Sequence, residues 1–300
     1  MGYSTLLATS RRRRVHGHHV SKKEFLVPKR IFAHIGLSLI LACLFGPPSR
    51  AAEPAVSQPL VIGETFTMRS GALDETRRIN VYRPAWVEES VPLPVVYMPD
   101  GGIAEDFLHV AGLVQVSTGN VTMKPVLLVG IENTQRRRDL TGPTNVASDR
   151  EIAPVVGGSA KFRKFIATEL MPEIERRYRT TEERAIVGES LAGLFVLETM
   201  VLQPELFDIY IAFDPSLWWN GEALFGTAAR NAEKLKGRVV YLANSSEPEL
   251  AQLTARFARL LAAIEGVRAH HQPMPDEKHS TIYHPAALKA FRAVLAAPQE

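Results

Sequence analysis

From about residue 60 the chain alternates short apolar runs with longer segments whose apolar positions recur every three or four residues. The stretches LVIGETFTM, TRRINVYRPA and LPVVYMPDGG come first and read as strands, with Asp74 and Glu75 forming a hairpin turn between the first two. PVLLVGIEN is the continuous apolar run that a strand buried on both faces requires. In KFRKFIATELMPEIERRY, Phe162, Ile166, Leu170, Ile174 and Tyr178 fall four apart and line one helical face. Pro172 predicts a kink there, or the end of the helix's first half. The alternation then repeats as strand RAIVGES and helix LAGLFVLETMVLQP, strand FDIYIAFDP and helix GEALFGTAARNAEKLK, strand GRVVYLANS and helix PELAQLTARFARLLAAIEG. It closes on strand VRAHHQPMP and helix HPAALKAFRAVLAAP.

Strands alternating with crossover-length helices predict an α/β fold whose mostly parallel sheet is covered on both faces, with antiparallel pairing confined to the N-terminal edge. No internal repeat interrupts it. A single domain over 59–300 follows a polar, proline-containing linker over 52–58. The interval between Phe213 and Gly221 is too short to hold an inserted cap domain, which leaves the C-terminal edge of the sheet open and argues against a lipase.

The net charge of +3 and the pI near 9.0 invite a nucleic-acid or membrane-surface reading, and the distribution of charge removes it. Residues 1–51 hold nine of the 35 Lys/Arg and one of the 32 Asp/Glu, so the rest of the chain is net acidic by five. No stripe of Lys/Arg interleaved with aromatics remains to bind nucleic acid. The first 51 residues have the form of an export signal, with a basic start, an apolar run from Ile31 to Phe45 and the small residues Ser49 and Ala51 ahead of cleavage before Ala52. They predict a periplasmic or secreted protein with no membrane span after cleavage, because the run is too short to cross a bilayer. Cys43, the only cysteine, lies inside that run, and a lipoprotein site there fits poorly because the apolar run continues beyond it. The mature chain would therefore carry no thiol for disulfides, nucleophilic catalysis or metal binding. His270 and His271 are adjacent on a strand and point to opposite faces, so no metal site or other cofactor is expected.

Within AIVGESLAGLF, Ser190 stands between a predicted parallel strand and a predicted helix, with Gly188 two residues before it and Ala192 two after. That is the strand–turn–helix context of a nucleophile elbow, whose sharp turn tolerates only small residues at those two places. Ala192 departs from the usual glycine by one methyl group, and Gly193 follows. A small-residue helix start with Ser190 as N-cap is the bland alternative. A serine hydroxyl needs a base, itself commonly oriented by a carboxylate, and in this architecture the chain order is Ser, acid, His. His279, in the DEKHS loop after the last strand, is the expected base, while His270, His271 and His284 read as structural. The expected acid is Glu247, first past the penultimate strand, although a helix-start glutamate favoured by the macrodipole would look the same. Asp276 and Glu277 are further candidates, and a Ser–His dyad is a third arrangement. Expected oxyanion donors are the amides of Leu191 and of Gly101 or Gly102.

With those residues in place the chain resembles the serine esterases of the α/β-hydrolase superfamily related to esterase D, especially the periplasmic enterochelin and salmochelin esterases. The resemblance runs from about Leu60 to the C-terminus and is carried by YMPDGG, VGIENTQRRRDLTGP, GGSAKFRKFIATELMPEIERRY, VGESLAG, DPSLWWN and the His279 segment. It implies an α/β-hydrolase that cleaves carboxylic esters through Ser190 and His279 without a cofactor. Its members differ in whether a third, acidic residue takes part.

Two further features bear on a small-molecule ester substrate. Arg136 and Arg138 follow a strand at the edge where open α/β sheets bind ligands, and they could hold an anionic or catecholate group or simply pair with neighbouring acids. Trp218 and Trp219 follow the next strand but one and could stack on an aromatic substrate or pack their own loop. Acyl transfer to an alcohol on the same fold, and a non-catalytic module that uses these loops to bind a ligand, are the alternatives the sequence leaves open.

Overall fold

The computed structural model describes residues 57–298. The expected export signal, Cys43 and most of the linker lie outside the described residues. From Leu60 onward the chain forms one compact unit.

Strands β1 (Glu64–Ser70), β2 (Glu75–Tyr82), β3 (Leu93–Pro99), β4 (Leu127–Ile131), β5 (Thr180–Glu189), β6 (Ile209–Phe213), β7 (Val239–Asn244) and β8 (Arg268–Pro273) make a single sheet in the order β1-β2-β4-β3-β5-β6-β7-β8. Pairing is antiparallel for β1 with β2 and for β2 with β4, and parallel from there on. The antiparallel edge is thus where the early strands placed it. Glu75 belongs to β2 rather than to the turn, which Asp74 closes with a positive φ.

Each face of the sheet has its own apolar layer. On one face α4 (Ser159–Phe165), α5 (Met171–Arg177), α6 (Leu191–Leu202), α7 (Trp219–Arg230) and α8 (Pro248–Ala262) bury Phe162, Ile174, Phe195 and Phe257 against Tyr97, Val129 and Ile186. On the other face α1 (Phe107–Gly119) and α9 (Tyr283–Val294) bury Phe107, Val114 and Phe291 against Val96, Val187 and Phe213. Helix α1 has no counterpart in the sequence reading. Its apolar residues are spread round the whole helix, so no amphipathic stripe marks it.

The expected kink at Pro172 arrives one turn earlier. The first half of the helix ends at Phe165, a π turn spans Ile166–Leu170, and Pro172 is the second residue of α5. Proline has no N–H to return to a carbonyl four residues back, and a widened turn before it accommodates the missing bond. Two short helices, α2 (Arg136–Leu140) and α3 (Ala147–Glu151), occupy the connection between β4 and α4. Among the described residues no helix is long and apolar enough to cross a membrane.

A buried ion cluster ties β2 to α2. Arg77, in β2, is fully buried and bonds to Asp139 of α2, itself 1 % exposed, and to Glu75 at 2.7 Å, while its guanidinium lies 5.2 Å over the Phe162 ring. Removing one member strands a buried charge, and that defect costs more than the intact pair contributes. Arg77→Met is expected to lower unfolding free energy by about 3 kcal/mol in chemical denaturation. The double substitution Arg77→Met/Asp139→Leu is expected to recover more than half of that loss.

Candidate active site

The site is built on the C-terminal ends of adjacent parallel strands. At the end of β5 the chain passes into α6 through Ser190, which takes φ +58° and ψ −119°. A non-glycine residue in that region is strained by about 1–3 kcal/mol and needs its surroundings to hold it. Here the Ser190 N–H donates to the Phe213 carbonyl at 2.9 Å, and the Ser190 carbonyl accepts from the N–H groups of Leu194 at 2.9 Å and Ser216 at 3.0 Å. The crossing is tight: a Cβ on Gly188 would meet the Ala192 carbonyl carbon and Cβ at 2.7 Å, and one on Gly193 would meet the Phe213 carbonyl oxygen at 3.1 Å. Ala192 is tolerated because position 188 has no side chain.

His279 reaches the serine from the loop between β8 and α9. Its Nε2 lies 3.2 Å from Ser190 Oγ, and its Nδ1 lies 3.0 Å from Asp214 Oδ2. The buried carboxylate accepts a hydrogen bond from the Nδ1–H and so holds the proton on that nitrogen, leaving Nε2 free to accept from the serine hydroxyl. Asp214 is fully buried at the end of β6 with φ +40°, and its second oxygen accepts the Ser245 N–H at 2.7 Å. Its own N–H donates to the Ala243 carbonyl at 2.9 Å, so the end of β7 holds it at both its backbone and its side chain. The hydrogen bond to Asp214 raises the His279 pKa above the usual 6.5 against the opposing effect of burial, and Glu189, Asp214 and Glu247 add to the rise through space. A hydroxyl, an imidazole and a buried carboxylate in this relay form the arrangement that turns a serine into a nucleophile.

The structure corrects the expected acid. Glu247 caps the start of α8, where its N–H donates to Ser245 Oγ at 3.3 Å, and it acts on His279 only through space. Asp214, which holds the ring, is the first polar residue past the apolar run of β6. The segment DPSLWWN contained that signal, but the loops after β6 and β7 lie side by side, and chain order alone does not choose between them.

The oxyanion donors divide. The Leu191 N–H stands at the first position of α6 and, among the described residues, has no backbone acceptor. Gly101, by contrast, donates to the Ile131 carbonyl at 3.0 Å, and a Cβ there would lie 2.2 Å from Gly130 Cα, so its amide is committed to β4. The Gly102 N–H donates to the Glu105 carboxylate at 2.7 Å, a side-chain partner that can leave.

The arginine and tryptophan expectations are also redrawn. Arg138 forks onto Glu75 and bonds to Asp139, so it belongs to the buried ion cluster and not to a ligand site. Arg136 makes a two-pronged pair with Asp100, Nε and Nη2 each at 2.7 Å, close enough to Glu189 and Asp106 to feel both charges. Trp219 is buried and donates its Nε1–H to the Gly142 carbonyl at 2.9 Å, so it packs the connection before α4 and offers no face to a ligand. Trp218 is half-buried beside it, with ring centroids 5.9 Å apart.

Proteins similar to this chain are known. A family model described as "Putative esterase" matches residues 70–297. The chain is 33 % identical over 174 residues to the ferri-bacillibactin esterase BesA of Bacillus subtilis, covering 52 % of this chain and 59 % of that protein. It is 27 % identical over 165 residues to an iron(III) salmochelin esterase of Escherichia coli, covering 53 % of this chain and 37 % of the relative. The chain thus spans about half the length of the curated relatives it matches. Among solved structures, an IroE-like serine hydrolase from Shewanella oneidensis superposes with a TM-score of 0.71 at 28 % identity, covering 78 % of this chain and 80 % of that one. The BES protein from Bacillus cereus shares the fold at TM-score 0.71 and 21 % identity, covering 79 % and 98 %.

In an NMR titration His279 is expected to ionise above 6.5. Asp214→Asn is expected to bring that midpoint down, and Glu247→Gln to move it less, because Asp214 acts through a direct hydrogen bond and Glu247 only at a distance.

Proposed function

The chain belongs to the esterase family, and on that premise we propose that it is an exported serine esterase that hydrolyses siderophore-type carboxylic esters through an acyl-enzyme. The observation that carries this reading is the hydrogen-bonded series Ser190, His279, Asp214 anchored on a strained strand-to-helix turn. The siderophore class rests on the activities of the relatives, which are esterases of ferri-bacillibactin, iron(III) salmochelin and, in Aspergillus fumigatus, triacetylfusarinine C. Export rests on the leader over 1–51.

Ser190 Oγ attacks the ester carbonyl carbon while its proton passes to His279 Nε2. The developing oxyanion is met by the Leu191 N–H and by the Gly102 N–H once Glu105 releases it, since Gly101 is held by β4. The imidazolium, stabilised by buried Asp214, protonates the departing alkoxide and leaves Ser190 acylated. Water then attacks the acyl carbon, gives its proton to His279, and the acid departs as Ser190 recovers its own. A groove of about 800 Å3 beside the Gly102 loop, lined by Ile62, Ile103, Phe107 and Leu108 together with Arg78 and Glu132, offers a partly apolar bed for the body of the ester.

Hydrolysis of p-nitrophenyl butyrate by the folded protein is the direct test. Ser190→Ala is expected to lose on the order of 10^4-fold or more in kcat together with its fluorophosphonate adduct, and Asp214→Asn roughly 10^4-fold, whereas Glu247→Gln stays within about tenfold. The wild-type kcat/KM is expected to fall as pH drops, with a midpoint above 6.5, because protonated His279 cannot accept the serine proton. No turnover and no adduct on a folded protein would remove the esterase reading.

A further inference from the structure

The residue immediately before the nucleophile is a glutamate, and nothing in the proposed reaction uses it. Side chains alternate along β5, so Ala185 and Val187 enter the layer under α1 and α9, and Glu189 follows them onto that side at the open end of the strand. There it is half-buried, and among the described residues no protein group donates a hydrogen bond to its carboxyl. The charges acting on it are His279 and Arg136 of one sign and Asp106 and Asp214 of the other. Arg136 is already held at both oxygens of Asp100. Arg138 is committed to Glu75 and Asp139, so the arginine pair that the sequence offered to an anionic ligand is neutralised. The Tyr283 hydroxyl, buried and without a hydrogen-bond partner among the described residues, faces the same group of carboxyls from the start of α9.

We propose that Glu189 is a specificity-determining residue that turns this site against polyanionic esters and toward esters that are neutral or cationic beside the scissile bond. The proposal rests on the reading of Ser190 as the nucleophile and narrows its substrate class. A ferric chelate of three catecholate dianions is trianionic, whereas one of three hydroxamates is neutral. The second meets no repulsion at this end of the sheet, and the first meets Glu189, Asp106 and Glu247, while the nearby arginines are each already paired with a carboxylate, Arg136 with Asp100 and Arg78 with Glu132. Burial first, then the neighbouring carboxylates, push the Glu189 pKa up to about 7 against the pull of His279 and Arg136, so discrimination strengthens as pH rises above neutrality. A cationic or hydrogen-bond-donating group on the substrate gains the carboxylate as a partner that no protein donor occupies.

The test uses p-nitrophenyl esters of butyric acid, of succinic acid as the half-ester and of 4-(trimethylammonio)butyric acid, which share a leaving group and differ in acyl charge. At pH 8 and low salt, kcat/KM for the neutral and cationic esters is expected to exceed that for the anionic one by roughly tenfold or more, as for charge-steered association. Glu189→Gln is expected to shrink the neutral-to-anionic ratio by about threefold or more. It is also expected to move the acid limb of the pH profile to lower pH, since the negative charge that raises His279 is gone. A purely structural role for Glu189 would move neither. Raising ionic strength on the wild-type enzyme, which needs no variant to fold, is expected to lift the anionic ester selectively. A ratio unchanged by salt and by substitution, with the neutral ester still turned over, overturns this proposal and leaves the esterase reading standing. Failure to turn over any of the three esters overturns both.

Discussion

The backbone crossing at Gly188 and Ala192 is the constraint from which the rest of this site follows. The strand arrives and the helix leaves at contact distance, with no room for a Cβ at position 188, and Ser190 is forced to a positive φ at the apex. Such a conformation persists only if neighbouring backbone supplies compensating bonds, and the supply comes from Phe213 and Ser216 on the next strand and its loop. The same loop carries Asp214. The bonds that stabilise the strained nucleophile therefore also set the register of the acid that orients its base.

Strain of this kind recurs along the edge. Asp100, Ser190 and Asp214, at the ends of β3, β5 and β6, all have positive φ. Each turns its side chain out of the sheet instead of letting the strand continue, and each is tied down by specific bonds. Asp100 receives Arg136 and Asn133, Ser190 faces His279, and Asp214 receives His279 and the Ser245 amide. A mostly parallel sheet whose central strands are covered on both faces leaves this edge as the place where polar groups from distant parts of the chain converge.

Electrostatics then separates what is structural from what faces a substrate. The arginines after β4 are mostly absorbed: Arg138 joins Arg77, Glu75 and Asp139 in a buried cluster, and Arg136 satisfies Asp100. What remains near the serine is carboxylate, held by Glu189, Asp106 and Glu247. Buried cations in proteins are paired as a rule, so a run of arginines is a poor guide to anion binding until its partners are known.

The periodicities in the chain determined the layered α/β architecture, its antiparallel edge and the displayed serine, because apolar spacing and the small residues about Ser190 are local properties that distance in sequence does not blur. The distribution of its charge likewise argued against a nucleic-acid reading. Helix α1 escaped because its buried side includes Ser117 and Thr118 while Leu108 and Val116 stand exposed, so polar and apolar positions do not separate onto opposite faces. Only the tertiary structure could decide between Asp214 and Glu247, between Gly101 and Gly102, and between substrate and partner for Arg136, Arg138 and Trp219. Each of these choices depends on which groups from separate strand ends come within about 3 Å of one another, and a linear sequence records the candidates but not the distances between them.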